Sequence, residues 1–237
     1  MKTNQLHSWS TTVEQAKAIQ KNLSAWIITE GNCSEPRLIA RVEVHPSGDQ
    51  GDGPGSETAS VTLIKNGEVI ERKHAIKNVA FPRMEGMLSF RKAPAAIAAL
   101  EKLPQTPDLI ICDGRGRTDE HVFGLASHIG LITNLPTIGI RAPRPRLDVK
   151  HLGIDRGNWF AVGENNWDQS VVLRVINTLD PLLVSPAHKI GQNQAIAQVL
   201  NFLPANMPAR QYLEMLYPAN GKQQHAIPVL QVIAKLP

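Results

Sequence analysis

The stretch that most limits what this chain can fold into is residues 108–116, Asp-Leu-Ile-Ile-Cys-Asp-Gly-Arg-Gly. Leu109 to Cys112 is a short apolar run with an acid on each side, the pattern of a strand buried on both faces. The strand breaks at Gly114 and Gly116, which permit a tight turn and a close backbone approach. Asp113 is thereby presented at the carboxyl end of a buried strand, where α/β sheets keep their sites. The same residues also read as a Gly-rich strand-to-helix turn in which Asp113 bonds local N–H groups. On this segment alone both readings stand.

The surrounding pattern places that strand in a mixed sheet. Thr11 and Glu14 have capping-box spacing, and Val13, Ala16, Ile19, Leu23 and Trp26 follow at helical intervals as a buried face. Residues 38–44 are a strand by composition, and residues 45–58, rich in Gly, Ser, Asp and Pro, read as a mobile loop. Residues 60–65 and 68–76 flank Asn66-Gly67, the strongest hairpin signal in the chain. An Ala-rich helix over 93–103 carries Pro94 in its first turn. A helix over 121–132, a strand at 137–140, a strand pair at 159–162 and 171–176, a strand at 182–185 and a helix over 189–203 follow. A hairpin followed by alternating strands and helices predicts an α/β mixed sheet, its first three strands antiparallel, flanked by helices. No linker divides residues 1–237, so one domain is expected, with a weakly patterned tail from Pro204.

Composition narrows the function classes. The 25 Lys and Arg against 21 Asp and Glu give a formal charge of +4, compatible with a polyanionic partner without requiring one. Cys33 and Cys112 form neither a disulfide framework nor a metal-ligand cluster, which fits a reducing cytoplasm. No window approaches a membrane span and the first residues lack an apolar signal core, so no membrane role is expected. Oligomeric state is not readable.

Three features add chemistry to Asp113. Glu43 ends the first strand, and acids at the ends of neighbouring strands bind hard cations such as Mg²⁺ through carboxylate oxygens; a solvated residue on an alternating strand is the plain alternative. Lys92, near a helix start where positive charge is mildly unfavourable, suits a neighbouring anion, a phosphate or a carboxylate, or points into solvent. Arg115, Arg117, Arg141, Arg144 and Arg146 lie in the loops that follow two adjacent buried strands, at one edge of the sheet, and can hold phosphates through paired hydrogen bonds. Trp159 and Trp167 read as packing residues, and His128 as a satisfied core histidine.

FPRMEGMLSFRKAP, DLIICDGRG, FGLASHIGLITNLPTIGI and PLLVSPAHK occur in that order. Together they resemble the endonuclease V family over about residues 36–200, metal-dependent nucleases that cut beside deoxyinosine in DNA or inosine in RNA. The resemblance implies a ribonuclease H-like mixed five-stranded sheet, a Mg²⁺ cofactor in an active member, and a DNA-repair setting. It maps the family's first-strand aspartate to Glu43, its Asp-Gly-x-Gly aspartate to Asp113, its following histidine to Asp119, and its late Gly-His to Ala187-His188. The family's Ser-Phe-Arg-Glu metal ligand falls on Lys92, and its lysine after Pro-Thr-Ile-Gly-Val falls near Ala142, close to Arg141 and Arg144. Its base-displacing wedge falls on Pro82-Arg83-Met84-Glu85-Gly86, with Arg83 in the place of the tyrosine.

A cation in a ligand position implies an altered chemistry. Glu43 and Asp113 need positive charge between them, and the Lys92 ammonium can supply it in place of Mg²⁺. The leading expectation is a pseudoenzyme that still binds DNA or RNA, inosine-containing or otherwise, with no metal. A residual Mg²⁺-dependent endonuclease, rebuilt with Asp119, Glu120 or His121, is the second expectation. A protein-interaction scaffold is the third.

Overall fold

The structure is a computed structural model and describes residues 1–47, 54–143, 147–163, 165–177 and 180–208. Strands β1 (Leu38–Ser47), β2 (Gly55–Lys65), β3 (Glu68–Val79), β4 (Leu109–Asp113), β5 (Thr137–Arg141), β6 (Trp159–Ala161), β7 (Val171–Leu173) and β8 (Leu182–His188) form one sheet in the order β3-β2-β1-β4-β5-β8-β7-β6. Helices α1 (Val13–Ser24), α2 (Leu88–Leu100), α3 (Leu125–Thr133) and α4 (Gln192–Phe202) pack around it. The first three strands are antiparallel, as expected, while β4 runs parallel to β1 and β5 parallel to β4. The sheet has eight strands rather than five, because β8 pairs antiparallel to β5 and carries the β7–β6 hairpin beyond it.

The β2–β3 turn is Asn66-Gly67, with φ of +51° and +83°, the mirror-image turn that matches strand twist. Leu109, Ile110, Ile111 and Cys112 are fully buried, since β4 is covered on both faces. On one face Ala40, Val42 and Val44 of β1, Ile110 and Cys112 meet α2 and α3. On the other, Leu109 and Ile111 join Ile138 and Ile140 under α4. α1 lies outside, with Ala16 against Phe81, Met87 and Phe90 and Leu23 against Phe123 and Leu131.

Several boundaries move for local reasons. The capping box is Thr12 with Gln15, one residue beyond the expected pair: Gln15 N–H donates to Thr12 Oγ1 at 3.2 Å and Thr12 N–H donates to Gln15 Oε1 at 2.9 Å. Trp26 falls past the end of α1 and is exposed. β1 and β2 run on to Ser47 and back to Gly55, into the expected loop; its centre, 48–53, lies outside the described residues. α2 begins at Leu88, so Pro94 sits inside the helix and not in its first turn. An interior proline costs about 3 kcal/mol relative to alanine; burial of Phe90, Ala96, Ile97 and Leu100 along α2 offsets it. α3 starts at Leu125 rather than 121, because residues 117–123 close a loop in which Thr118 N–H donates to Val122 O at 2.9 Å.

One glycine sets the approach of β5 to the turn after β4. A Cβ on Gly139 would run into the Gly114 carbonyl and the Ala126 side chain. Gly139→Ala is expected to lower stability by about 1–3 kcal/mol, read as a lower urea midpoint with an unchanged slope.

Candidate active site

The parallel ladder brings the two carboxylates together. Val42 of β1 stands opposite Cys112 of β4, so Glu43 and Asp113 occupy the next position on neighbouring strands. Asp113, half-buried, is flanked on its other side by Ile140 of β5. The chain leaves through Gly114-Arg115-Gly116, and Gly116 lies so close to the Pro186 carbonyl of β8 that no side chain fits.

Strand alternation then decides who meets Glu43. Residues 41, 43 and 45 share one face, and 40, 42 and 44 share the face that packs against α2. Glu43 is 2% exposed. Its Oε1 receives Arg41 Nη2 at 3.2 Å, and its Oε2 lies 3.8 Å from His45 Nε2. Arg41 is buried too, and its Nη1 donates to Val42 O at 2.7 Å. Lys92 approaches from α2 and ends on the main chain, its Nζ donating to Val44 O at 3.1 Å. Among the described residues Lys92 makes no direct ion pair with Glu43 or Asp113. The bridge expected from it is replaced by Arg41, because Glu43 turns to the face that α2 does not cover. Cys112 reports the same cluster of charge: burial first pushes its thiol up to about 12, while Arg41 and Lys92 pull it down and Asp113 pushes it up.

These donors do not fit a divalent cation. Hard cations take several carboxylate or carbonyl oxygens. Here one oxygen of Glu43 is engaged by a guanidinium and the other faces an imidazole. Lys92, bound to the Val44 main chain, offers only donors. Among the described residues no three His, Cys, Asp or Glu side chains gather as a cation site.

The remaining expected site residues are scattered. Asp119 is exposed and turned into its own loop, accepting Glu120 N–H at 2.6 Å. Glu120 and His121 are exposed as well, 3.8 Å apart. His188 stands at the opposite end of the sheet from Asp113: it pairs with Thr137 at the start of β5, whereas Asp113 pairs with Ile140 near its end. Its Nδ1 accepts Ile28 N–H at 3.3 Å. Burial, and then Lys189, lower its pKa to about 4. His128 is in the core but only half satisfied. Its Nε2 is 2.8 Å from His7 Nε2, its Nδ1 has no partner among the described residues, and burial followed by the His7 charge lowers its pKa to about 3.

The arginines divide in the same way. Arg115 donates from Nη2 to Asp168 Oδ2 at 2.8 Å, which ties it to the segment before β7. Arg117 lies over the Trp167 ring at 4.1 Å. Arg141 is exposed at the end of β5, one residue past the neighbour of Asp113. Arg144 and Arg146 lie outside the described residues. Arg83 is on an exposed turn that ends in Gly86 at φ +76°. The Gly86 carbonyl receives Gln20 Nε2 at 2.9 Å, so α1 steadies that turn. Trp159 and Trp167 are surface residues, not packing residues, at 43% and 41% exposure.

Sequence reasoning missed Arg41, although its spacing of two from Glu43 on a strand was the available signal. It also missed the buried Glu57–Arg91 pair at 2.7 Å, which joins β2 to α2, and Asp168, for which the sequence holds no signal.

Two outcomes follow. Glu43→Gln leaves the Arg41 guanidinium buried without its counter-charge and is expected to cost about 3–5 kcal/mol, read by urea denaturation. His128 and His188 titrate near 6.5 when unfolded and far lower when folded, so between those values the unfolded chain binds more protons. Stability is therefore full above pH 6.5 and falls as pH drops toward about 4 and about 3. Thermal melts from pH 7 to pH 5, where carboxylates stay ionised, should show a steady fall in Tm; a flat Tm would mean that both imidazoles charge in the folded state.

Comparison with known proteins agrees with the motif order. The Endonuclease V family profile matches residues 21–212. The chain is 36% identical over 206 residues to the endonuclease V of Nostoc punctiforme, covering 86% of this chain and 92% of that one. The crystal structure of Streptomyces avermitilis endonuclease V superposes with a TM-score of 0.74 at 30% identity, over 85% of this chain and 89% of that one. Ciona intestinalis endonuclease V shares the fold at 18% identity, with a TM-score of 0.68 over 84% and 92% of the two chains. The expected ribonuclease H-like fold is the one present, and this chain belongs to the endonuclease V family.

Proposed function

We propose that this protein is a nucleic-acid-binding member of the endonuclease V family in which the metal centre for cutting has been replaced by fixed internal charge. The observation that carries the reading is the buried Arg41–Glu43 pair on the strand next to Asp113, with Lys92 bound to the Val44 main chain. Family members are metal-dependent nucleases, and the metal's contribution would be to generate hydroxide and to stabilise the attacking and leaving oxygens of the phosphodiester. Here the carboxylate that would hold such an ion is neutralised from within the protein, and Lys92 adds a second positive charge.

Support for a nucleic-acid partner comes from the family and from the edge of the sheet. The Ciona intestinalis relative was crystallised with a 23mer DNA containing an inosine. In this chain, exposed Arg141 beside Asp113 and exposed Arg83 on the 83–86 turn suit a polyanionic backbone, and a guanidinium plane such as that of Arg83 can also stack on an unpaired base. The substrate class is inosine-containing DNA or RNA, in a DNA-repair setting.

The test joins binding with cleavage on inosine-containing single- and double-stranded oligonucleotides. The wild type is expected to bind with a steep salt dependence and to leave the strands uncut in Mg²⁺ or Mn²⁺. Lys92→Glu in an Arg41→Ala background adds a third carboxylate to Glu43 and Asp113 and removes both internal cations, so Mn²⁺ should raise its Tm by several degrees and leave the wild-type Tm unchanged. Metal-dependent cleavage by the wild type, abolished in Asp113→Ala, would overturn the reading and establish a working endonuclease.

A further inference from the structure

Two loops at the rim of the site are clamped together, and the clamp leaves an indole on the surface. The first loop, residues 114–123, follows Asp113 directly. The second lies between β6 and β7 and is described at residues 162–163 and 165–170. Arg115 Nη2 donates to Asp168 Oδ2 at 2.8 Å, and Asp168 Oδ1 accepts Ser170 N–H at 3.0 Å. One residue before Asp168 stands Trp167. Asn165 Oδ1 accepts the N–H groups of both, each at 2.9 Å, which fixes the turn that carries the indole. The Arg117 guanidinium packs over the ring at 4.1 Å, and its Nε and Nη2 donate to the carbonyls of Asp119 and Glu120 at 3.1 and 2.6 Å. The cation is thus held in place by its own loop and serves the ring as backing. With Arg117 behind it, the indole remains 41% exposed.

An exposed, rigidly mounted tryptophan is expensive to leave bare in water. Beside a phosphate-seeking edge it has a specific use, since every base has a π-face that stacks on an aromatic ring whatever the sequence. We propose that Trp167, backed by Arg117, is a stacking platform for a nucleobase of the strand that crosses the Asp113 edge of the sheet. This rests on the nucleic-acid reading above and adds to it a base contact remote from the 83–86 turn in sequence. Arg117 is a positioning residue for the ring, and Asp168 positions both loops.

The experiment measures anisotropy of a labelled, inosine-containing single-stranded DNA with the full chain in EDTA, for wild type, Trp167→Ala, Trp167→Leu and Trp167→Phe. Leu keeps apolar bulk without a ring plane and guards against a folding defect in the alanine variant; thermal melts monitor both. Ala and Leu are expected to weaken binding by about 5- to 30-fold, and Phe by less than about 3-fold. The salt slope should not change, because no phosphate contact is lost. In a series of oligonucleotides with single abasic positions, one position should bind the wild type more weakly, and that penalty should vanish in Trp167→Leu. Wild-type binding with an indifferent Trp167→Leu, or an abasic penalty equal in both proteins, overturns the platform and leaves the nucleic-acid reading intact. No binding by the wild type overturns both.

Discussion

The parallel pairing of β1 with β4 is the constraint on which the rest of the site depends. It sets Glu43 and Asp113 side by side in the middle of an eight-stranded sheet, where neither can be moved without sliding a fully buried strand. A one-residue slip would turn the whole apolar set of β1 away from α2. The packing of Ala40, Val42 and Val44 against that helix therefore also fixes Glu43 on the opposite face, together with Arg41.

Two carboxylates so placed have to be compensated, and the form of compensation decides the chemistry. At an effective dielectric constant near 20, a contact ion pair gains about 4 kcal/mol of Coulomb energy, while each buried ion costs several kcal/mol in lost hydration. The Arg41–Glu43 pair is therefore close to neutral in stability, yet removing either partner alone is costly. The pair therefore constrains both side chains without adding much net stability. Lys92 brings a further cation to the same strand, bound to Val44 O.

Around that fixed centre, the loops are tied rather than loose. Arg115, whose sequence position suggests a phosphate contact, is committed to Asp168. Arg117 is committed to an indole and to two carbonyls. Among the described residues, those that reach solvent at the rim include Arg141, the 83–86 turn, Asp119, Glu120, His121 and Trp167.

The sequence by itself determined the local units. The Asn66-Gly67 turn, the buried run before Asp113 and the antiparallel start of the sheet were legible because they depend on neighbouring residues: the φ > 0 that Asn and Gly accept, and apolar runs that must avoid water. The motif order also carried the family. The partner of Glu43 was within reach of period-two reasoning on residues 41 and 43. Tertiary structure alone decided the rest. Whether Lys92 meets Glu43 depends on which face of β1 the helix covers, and where His188 lies depends on the antiparallel direction of β8 against β5. That Arg115 is bound to Asp168 rests on a contact between residues 53 positions apart. Each is a matter of relative placement across the sheet, set by how separate apolar faces pack, and no local pattern in the chain encodes it.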